Sequence, residues 1–572
     1  MSKFFYNEEQ QSYDAIVVGS GISGGWAAKE LCENGLKTLV LERGRMIKHI
    51  EDYHTANMDP WDFPNGQSAT PEERSRQTKQ ARTGYTTDPA HRHFFVDDID
   101  HPYNEKEGYR FDWMRGYHVG GRSIMWGRQS YRWSDMDFEA NAQDGVAVDW
   151  PVRYKDIAPW YDKVEEFIGV SGENLGLDIL PDGKFLPAMD LNCVEKHFKE
   201  SVASLGRVVT PGRTAHITTS EKEFDGRTQC QYRNRCMRGC PFGGYFSSNS
   251  STLPAAAKTG NLTLRVDSIV AEVIYDAATG KASGVKVVDQ LTKETFEFNA
   301  KVVFLCASAI ASAAILMQSK SDRFPNGLGN DSDQLGRNIM DHQLGVGASG
   351  KVEGHLDEYF KGRRPNGVYI PRFVNLKGQE KRSYLRGFGY QGGASRGDWS
   401  SLIAEAGYGK ELKEAVMQPG AWTFGIMGFG EILPDPANRF TLDYENLDQW
   451  GLPTLTFETK FRDNEMKMRE DMKSAAVEML EAAGFKDIVG YDNPAQHGIG
   501  LGIHEMGTAR MGADPKTSVV NKNNQVHGCA NVFVTDGAFM TSAACVNPSL
   551  TYMAFTARAA NFAAEQLKKG LL

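Results

Sequence analysis

The chain has 572 residues and a formal net charge of −9, with 64 Lys plus Arg against 73 Asp plus Glu. That length holds roughly two to four domains' worth of core, and the acidic balance leaves no basic field for a nucleic-acid backbone or an anionic membrane. Apolar residues at 41% and charged ones at 24% exclude a disordered chain, and eight cysteines are too few for a disulfide scaffold of this size.

In chain order, the opening MSKFFYNEEQQSYD lacks the basic patch, apolar core and twin-arginine pair of an export signal, so export by its own signal is not expected. Ala15 to Val18 is a short β-branched run, read as a buried strand, and it ends at Gly19-Ser20-Gly21-Ile22-Ser23-Gly24. A helix follows, stopped by Gly35, and Thr38 to Leu41 forms the next strand, ending on Glu42. This is a βαβ unit. Residues from about 50 to 104 are polar and aperiodic, and 61–104 read as an irregular loop or lid. Strands are expected over Leu262 to Tyr275, Gly284 to Val288 and Val302 to Leu305. The most apolar run, Val302 to Met317, has 16 residues. That is short of the roughly 20 a bilayer needs, so it reads as a buried strand feeding a helix. Strand-like stretches fill 340–460, Met466 to Ala483 is an acidic amphipathic helix, Asn531 to Val534 a buried strand, and Ser549 to Leu567 a small-residue helix.

The glycine pattern carries chemistry. Gly19 permits the tight turn, Gly21 lets the backbone approach a pyrophosphate, and Gly24 lets the helix sit close to the sheet. The helix N-terminus stabilises phosphate charge, and Glu42 can accept from ribose hydroxyls. Spacing alone does not separate FAD from NAD. Cys230, Cys236 and Cys240-Pro241 fall within the segment CQYRNRCMRGCPFGG. Three closely spaced thiolates before a Pro suit an iron–sulfur cluster, a zinc site completed by a distant ligand, or a disulfide plus a spare thiol.

Several further segments change the picture. They are VGGRSIMWG at Val119 to Gly127, SAIASAAILMQS at Ser308 to Ser319, and LGRNIMDH at Leu335 to His342. HEMGTARMG at His504 to Gly512, VTDGAFM at Val534 to Met540 and CVNPSLTYMA at Cys545 to Ala554 complete the set. In this order they resemble the glucose–methanol–choline (GMC) family of FAD-dependent oxidoreductases, over nearly the whole chain. The resemblance implies an α/β plus α+β fold, in which a Rossmann-like FAD-binding domain is interleaved with a β-sheet substrate-binding domain, as in p-hydroxybenzoate-hydroxylase-like architectures. The FAD-binding domain is expected at 1–60, 105–150, 225–335 and 500–572, with the Cys-rich segment at 228–243. The substrate-binding domain is expected at 151–224 and 336–499.

By position, the resemblance places Gly19, Gly21, Gly24 and Glu42 on the ADP half of FAD. It puts Gly120, Gly121 and Ser123 along the phosphate and ribityl region, and Asp536 in the loop approaching the flavin. Some relatives bond the flavin covalently to a His just before the Trp of this segment. Here Met125 precedes Trp126, so non-covalent FAD is expected. His504 and Asn547 resemble the family's catalytic couple. A neutral imidazole takes the hydroxyl proton while the flavin accepts hydride, and Asn547 donates to the substrate oxygen. His118, His342 and His527 read as structural.

Within the family, the bacterial multi-subunit sugar and polyol dehydrogenases carry a Cys-rich insert at this place, so Cys230, Cys236 and Cys240 are expected to hold a cluster of the three-iron, four-sulfur type. The insert often begins with two adjacent cysteines, whereas Gln231 follows Cys230 here. The resemblance runs most strongly to glucoside 3-dehydrogenases, which oxidise a sugar ring hydroxyl at C3. Aldoses at C1, sorbitol, fructose and gluconate are rival substrates. An oxygen-using oxidase and an electron-transfer subunit with inert flavin are the other readings. Gln391 and Glu431, among aromatic and Gly residues, can bind sugar hydroxyls or serve as ordinary polar strand positions. The subgroup also implies a small companion subunit bearing the export signal, a cytochrome c or quinone-linked acceptor, and a periplasmic location, with the cytoplasm as fallback.

Overall fold

The structure is a computed structural model that describes residues 12–358, 367–397, 408–418 and 420–572. The opening segment 1–11, read above for an export signal, lies outside the described residues. Strand β1 (Ser12–Val18), helix α1 (Ile22–Glu33) and strand β2 (Thr38–Leu41) form the expected unit. β1 sits at the centre of an eight-stranded sheet, parallel to β2 on one side and to Thr295–Leu305 on the other. Its Ala15, Ile16 and Val17 are wholly buried because helices cover both faces, which is why the run is continuous rather than alternating. Cys529–Val534 extends the parallel core, and the antiparallel ribbon Ser268–Asp276 with Lys281–Asp289 is appended to Thr295–Leu305. Ser549–Lys568 packs against α1 through Ala559, Ala560 and Ala563, small residues that let two helices approach closely.

A second, seven-stranded sheet is built from Thr210–Pro211, His342–Gln343, Val346–Val352, Val368–Ile370, Phe388–Arg396, Trp422–Glu431 and Lys486–Asp492. Its central strands are antiparallel, with Gln391 directly opposite Met427. Asp463–Ala482 lies across one face, burying Met468, Met472 and Met479. Gly428 and Gly430 face this helix, where a Cβ would stand 2.6 Å and 2.8 Å from the Met472 and Met468 sulfurs. By alternation, Gln391, Met427 and Phe429 point the other way, into the space between the two sheets.

Two placements differ from the expected domain boundaries. Tyr154–Ile168 packs on Ser549–Lys568 rather than on the second sheet, with the Tyr161 hydroxyl 2.8 Å from Thr551 Oγ1. Of 151–224, the segment from Cys193 to Pro211 does join the second sheet, through Val194, Phe198 and Val202. A small third sheet, Asn104–Glu105 with Arg439–Leu447 and Pro453–Glu458, also packs on the nucleotide side, where Phe457 stacks on Phe111 at 4.2 Å. The 61–104 stretch folds as short turns and one brief helix, Pro71–Ser75, and brings Tyr85, Phe95 and His101 to the wall of the central cleft. Among the described residues no helix is long and apolar enough to cross a membrane.

Candidate active site

A cleft of about 690 Å³ runs from the carboxyl ends of β1, β2, Thr295–Leu305 and Cys529–Val534 to the face of the second sheet. This is where open α/β sheets bind ligands, because the strand ends leave backbone N–H groups and a helix N-terminus facing the opening. Gly19 has φ +93°, and a Cβ there would lie 2.6 Å from the Cys306 carbonyl oxygen. A Cβ on Gly24 would lie 1.9 Å from the Gly19 oxygen, so this glycine sets how closely α1 approaches the turn. Gly21 differs: a Cβ there meets no protein atom within 4 Å and projects into open space at the cleft wall.

Glu42 also lines the cleft. It accepts from Ser20 N at 3.1 Å, from the Ser20 hydroxyl and from Gly44 N at 3.0 Å, while burial pushes its carboxyl up. Gly121 and Ser123 line the same wall, and Ser123 Oγ accepts from Ser248 N at 3.0 Å. Gly120 turns the chain with φ +85° but faces Asn249 rather than the cleft. Asp536 lines the cleft at the end of Cys529–Val534, accepting from Ser312 and from Ala538 N, and burial pushes it up to about 6.

At the other end His504 and Asn547 meet, with Asn547 Nδ2 3.2 Å from His504 Nε2. His504 sits on a loop tied down by Asp341, whose carboxylate accepts from the backbone N–H of His342, Gly500, Gly502 and His504 at 2.7 to 3.1 Å. Burial and the nearby Glu505 push Asp341 up to about 7, against those four donors. His504 is held well below 6.5 by burial, by His342 and by Arg122, so its imidazole is neutral and keeps one basic ring nitrogen.

The other expected site residues divide. Gln391 lines the cleft and donates from Nε2 to Asn547 Oδ1 at 2.5 Å. Glu431 does not line it. It lies one step past Phe429, is 2% exposed, and is covered by Arg372, 3.3 Å away, and by Cys545, which donates to it at 3.3 Å. A buried carboxylate between a cation and a thiol has no face left for a sugar, which corrects the substrate reading of Glu431. His118 and His527 lie away from the cleft, bonded to Val119 O and Ser518 Oγ. His342, read as structural, contacts His504 Nδ1 with its own Nδ1 at 3.0 Å. Sequence reasoning missed Arg43, His101, Arg115 and His497 in the cleft wall. Arg115 is the most telling: it is buried over the Trp113 ring, and its Nε and one terminal nitrogen have no hydrogen-bond partner among the described residues.

The three clustered cysteines lie behind the cleft wall. Cys230 Sγ accepts from Tyr232 N at 3.5 Å and Cys240 Sγ from Gly244 N at 3.4 Å, while Cys236 Sγ stands 3.8 Å from His216 Nε2. Burial pushes the Cys230 thiol up to about 11 and raises Cys236. The Tyr245 hydroxyl joins the Cys236 carbonyl, at 3.0 Å, to that of Ile124 on the turn after Gly120, and Met237 packs against the apolar cluster to which Ile124 and Met125 belong. No disulfide joins any of these thiols among the described residues. Among the described residues the three sulfurs do not gather as one ligand group.

A dinucleotide cradle opening onto a neutral imidazole and an oriented amide defines an oxidoreductase of the nucleotide-binding α/β class. Two family profiles described as GMC oxidoreductase match the chain, over residues 13–344 and 434–556. The chain belongs to the GMC oxidoreductase family. It is similar to the fructose dehydrogenase large subunit of Gluconobacter japonicus, 28% identical over 99% of this chain and 100% of that one. It is also similar to the 2-methyl-1,2-propanediol dehydrogenase of Mycolicibacterium austroafricanum, 28% identical over 96% and 94%. Similarity to the C-glycoside 3-oxidase of Microbacterium trichothecenolyticum is 26% over 54% of this chain and 55% of that one. Among solved structures, Aspergillus oryzae formate oxidase aligns with TM-score 0.60 and 15% identity, over 99% of this chain and all of that one. Pyridoxine 4-oxidase from Mesorbium loti aligns with TM-score 0.57 and 18% identity, over 97% and 99%. The protein is thus an FAD-dependent oxidoreductase of sugar or alcohol CH–OH groups.

The residues present fit FAD. Open space at Gly21, acceptors on Glu42 at a strand end, and unpartnered donors on Arg115 suit a glycine-cradled, anionic dinucleotide.

Proposed function

We propose that this protein oxidises a ring hydroxyl of a sugar or glycoside at C3, giving a 3-keto sugar, with His504 as base. The observation that carries the oxidation of a hydroxyl group is the neutral His504 beside the Asn547 amide at the cleft. FAD, when bound, supplies a two-electron acceptor for the carbinol hydrogen as hydride. His504 Nε2 takes the hydroxyl proton, and Asn547 Nδ2 donates to the oxygen as negative charge grows there. Sugar chemistry is supported by the names of two relatives, a fructose dehydrogenase and a C-glycoside 3-oxidase.

FAD is held without a covalent bond, since Met125 offers no nucleophile. Cys230, Cys236 and Cys240 hold an iron–sulfur cluster of the three-iron, four-sulfur type as the electron exit towards a cytochrome c or quinone-linked acceptor. The close spacing of the three cysteines before Pro241, with N–H donors already on two of the sulfurs, supports this. A relative named as a large subunit supports a small companion subunit and, through co-export with it, a periplasmic location.

Anaerobic addition of glucosides, glucose, fructose, sorbitol and gluconate, with flavin bleaching and product analysis, tests the substrate. A 3-keto product is expected. A lactone from an aldose would move the reaction to C1, and bleaching by none of these would remove the sugar reading.

A further inference from the structure

The hydrogen bonds on the two sides of His504 run in one direction. Gln391 Nε2 donates to Asn547 Oδ1 at 2.5 Å, and Asn547 Nδ2 lies 3.2 Å from His504 Nε2. His504 Nδ1 lies 3.0 Å from His342 Nδ1, and His342 Nε2 lies 2.5 Å from the Ala544 carbonyl oxygen.

The far end determines the rest. A backbone carbonyl can only accept, so His342 carries its hydrogen on Nε2. Burial holds His342 down to about 4, so its ring is neutral and Nδ1 is left as an acceptor. His504 must then donate from Nδ1, which leaves the lone pair on Nε2. That lone pair requires a donor opposite, so the Asn547 amide presents its nitrogen and turns its oxygen away. Gln391 meets the oxygen with its own amide nitrogen. Reversing one member sets two acceptors or two donors face to face in a buried place, leaving polar groups unsatisfied.

We propose that His342 and Gln391 are positioning residues that lock His504 in the Nδ1–H tautomer and Asn547 with its N–H towards the reacting oxygen. The proposal rests on His504 being the proton acceptor. Ala544 and Asn547 belong to one short segment, so a single loop meets His504 Nε2 directly through Asn547 and reaches its Nδ1 side through His342, which Ala544 holds. The chain also ends on a carbonyl, which takes no proton, so the proton gained at Nε2 leaves through the cleft.

The direct test is the nitrogen spectrum of ¹⁵N-histidine-labelled, FAD-loaded protein, assigned with His342→Asn and His504→Asn. His504 Nε2 and His342 Nδ1 should resonate as unprotonated nitrogens. Unprotonated His504 Nδ1 would overturn the assignment. In the anaerobic half-reaction with sugar, His342→Leu should slow flavin reduction about tenfold or more, as expected for a wrong tautomer. His342→Asn, whose Oδ1 can occupy the acceptor position, should recover part of that loss. Gln391→Glu, nearly isosteric but an acceptor facing an acceptor, should be slower than Gln391→Leu. Equal rates for Leu and Asn at 342, or a milder Glu than Leu at 391, would reduce both residues to packing. His504→Ala serves as the control: if it stays active the base assignment fails, whereas an inactive His504→Ala beside a normal His342→Leu defeats only the positioning role.

Discussion

Arg122 grips Glu505 with two parallel bonds, Nη1 to Oε1 at 3.1 Å and Nη2 to Oε2 at 2.8 Å. The pair joins the turn that follows Gly120 to the residue after His504, so cofactor wall and catalytic loop share one ion pair. Glu505 is 3% exposed and Arg122 26%. Arg122→Ala should therefore cost about 3 kcal/mol, the low end for a broken buried pair because the guanidinium is partly solvated. Denaturant unfolding of the FAD-loaded protein measures this. The double Arg122→Leu, Glu505→Leu variant should be less destabilised than Arg122→Ala, and a loss under 1 kcal/mol in the single variant would deny the pair its role.

Two glycines separate cofactor space from packing. Gly21→Ala meets no protein atom, so it should fold normally yet lose FAD affinity. Gly24→Ala drives a methyl into the Gly19 carbonyl and should lower the melting temperature instead. Flavin absorbance and thermal melts of both variants decide. Normal FAD content in Gly21→Ala would mean that the dinucleotide does not pass there. The native flavin should also be released into the supernatant by acid precipitation, since flavin retained on the denatured chain would contradict the role given to Met125.

His504→Ala should reduce turnover by orders of magnitude while FAD stays bound, and Asn547→Ala should do so to a lesser degree. The pH dependence has a definite sign. Burial holds His504 well below 6.5, so its basic form persists above that value and the acid limb of kcat/KM should fall below pH 6.5. An acid limb at or above pH 7 would assign the base to another group.

Much of this was legible in residues and some was not. The βαβ unit could be read because its strands are buried on both faces and its glycines are dictated by local geometry. His504 and Asn547 were visible through their motifs. His342 was not, since its role depends on the Ala544 carbonyl and on where two distant loops meet. Glu431 misled because strand alternation gives the side of a sheet, while the Arg372 side chain that covers it arrives from another strand connection. Tyr154–Ile168 carries an amphipathic pattern that says it packs, but not on which half.

Anaerobically prepared protein should contain iron and acid-labile sulfide, both lost in Cys236→Ala. Flavin reduction by sugar should remain in that variant, and delivery to a macromolecular acceptor should slow. Zinc without iron would remove the proposed electron exit.

Co-expression with a small companion subunit should move the chain to the periplasm. Fractionation that finds the same distribution with and without such a subunit would refute co-export.

The central sheet pairs Ser12–Val18 with Thr295–Leu305, and that strand in turn with Cys529–Val534. A ribosome adds roughly 5 to 20 residues per second, so the first strand of the cradle waits on the order of a minute for the last. Until residue 305 has been made, β1, buried on both faces in the finished protein, has β2 as its only strand neighbour, and thereafter Thr295–Leu305 waits for Cys529–Val534. The nascent chain therefore presents an apolar strand edge throughout synthesis, and the cofactor cannot be fully enclosed until Asp536 and Asn547 have left the exit tunnel. Holdase chaperones acting on the emerging chain, and FAD supply at the moment of release, should govern yield more than the stability of the finished fold.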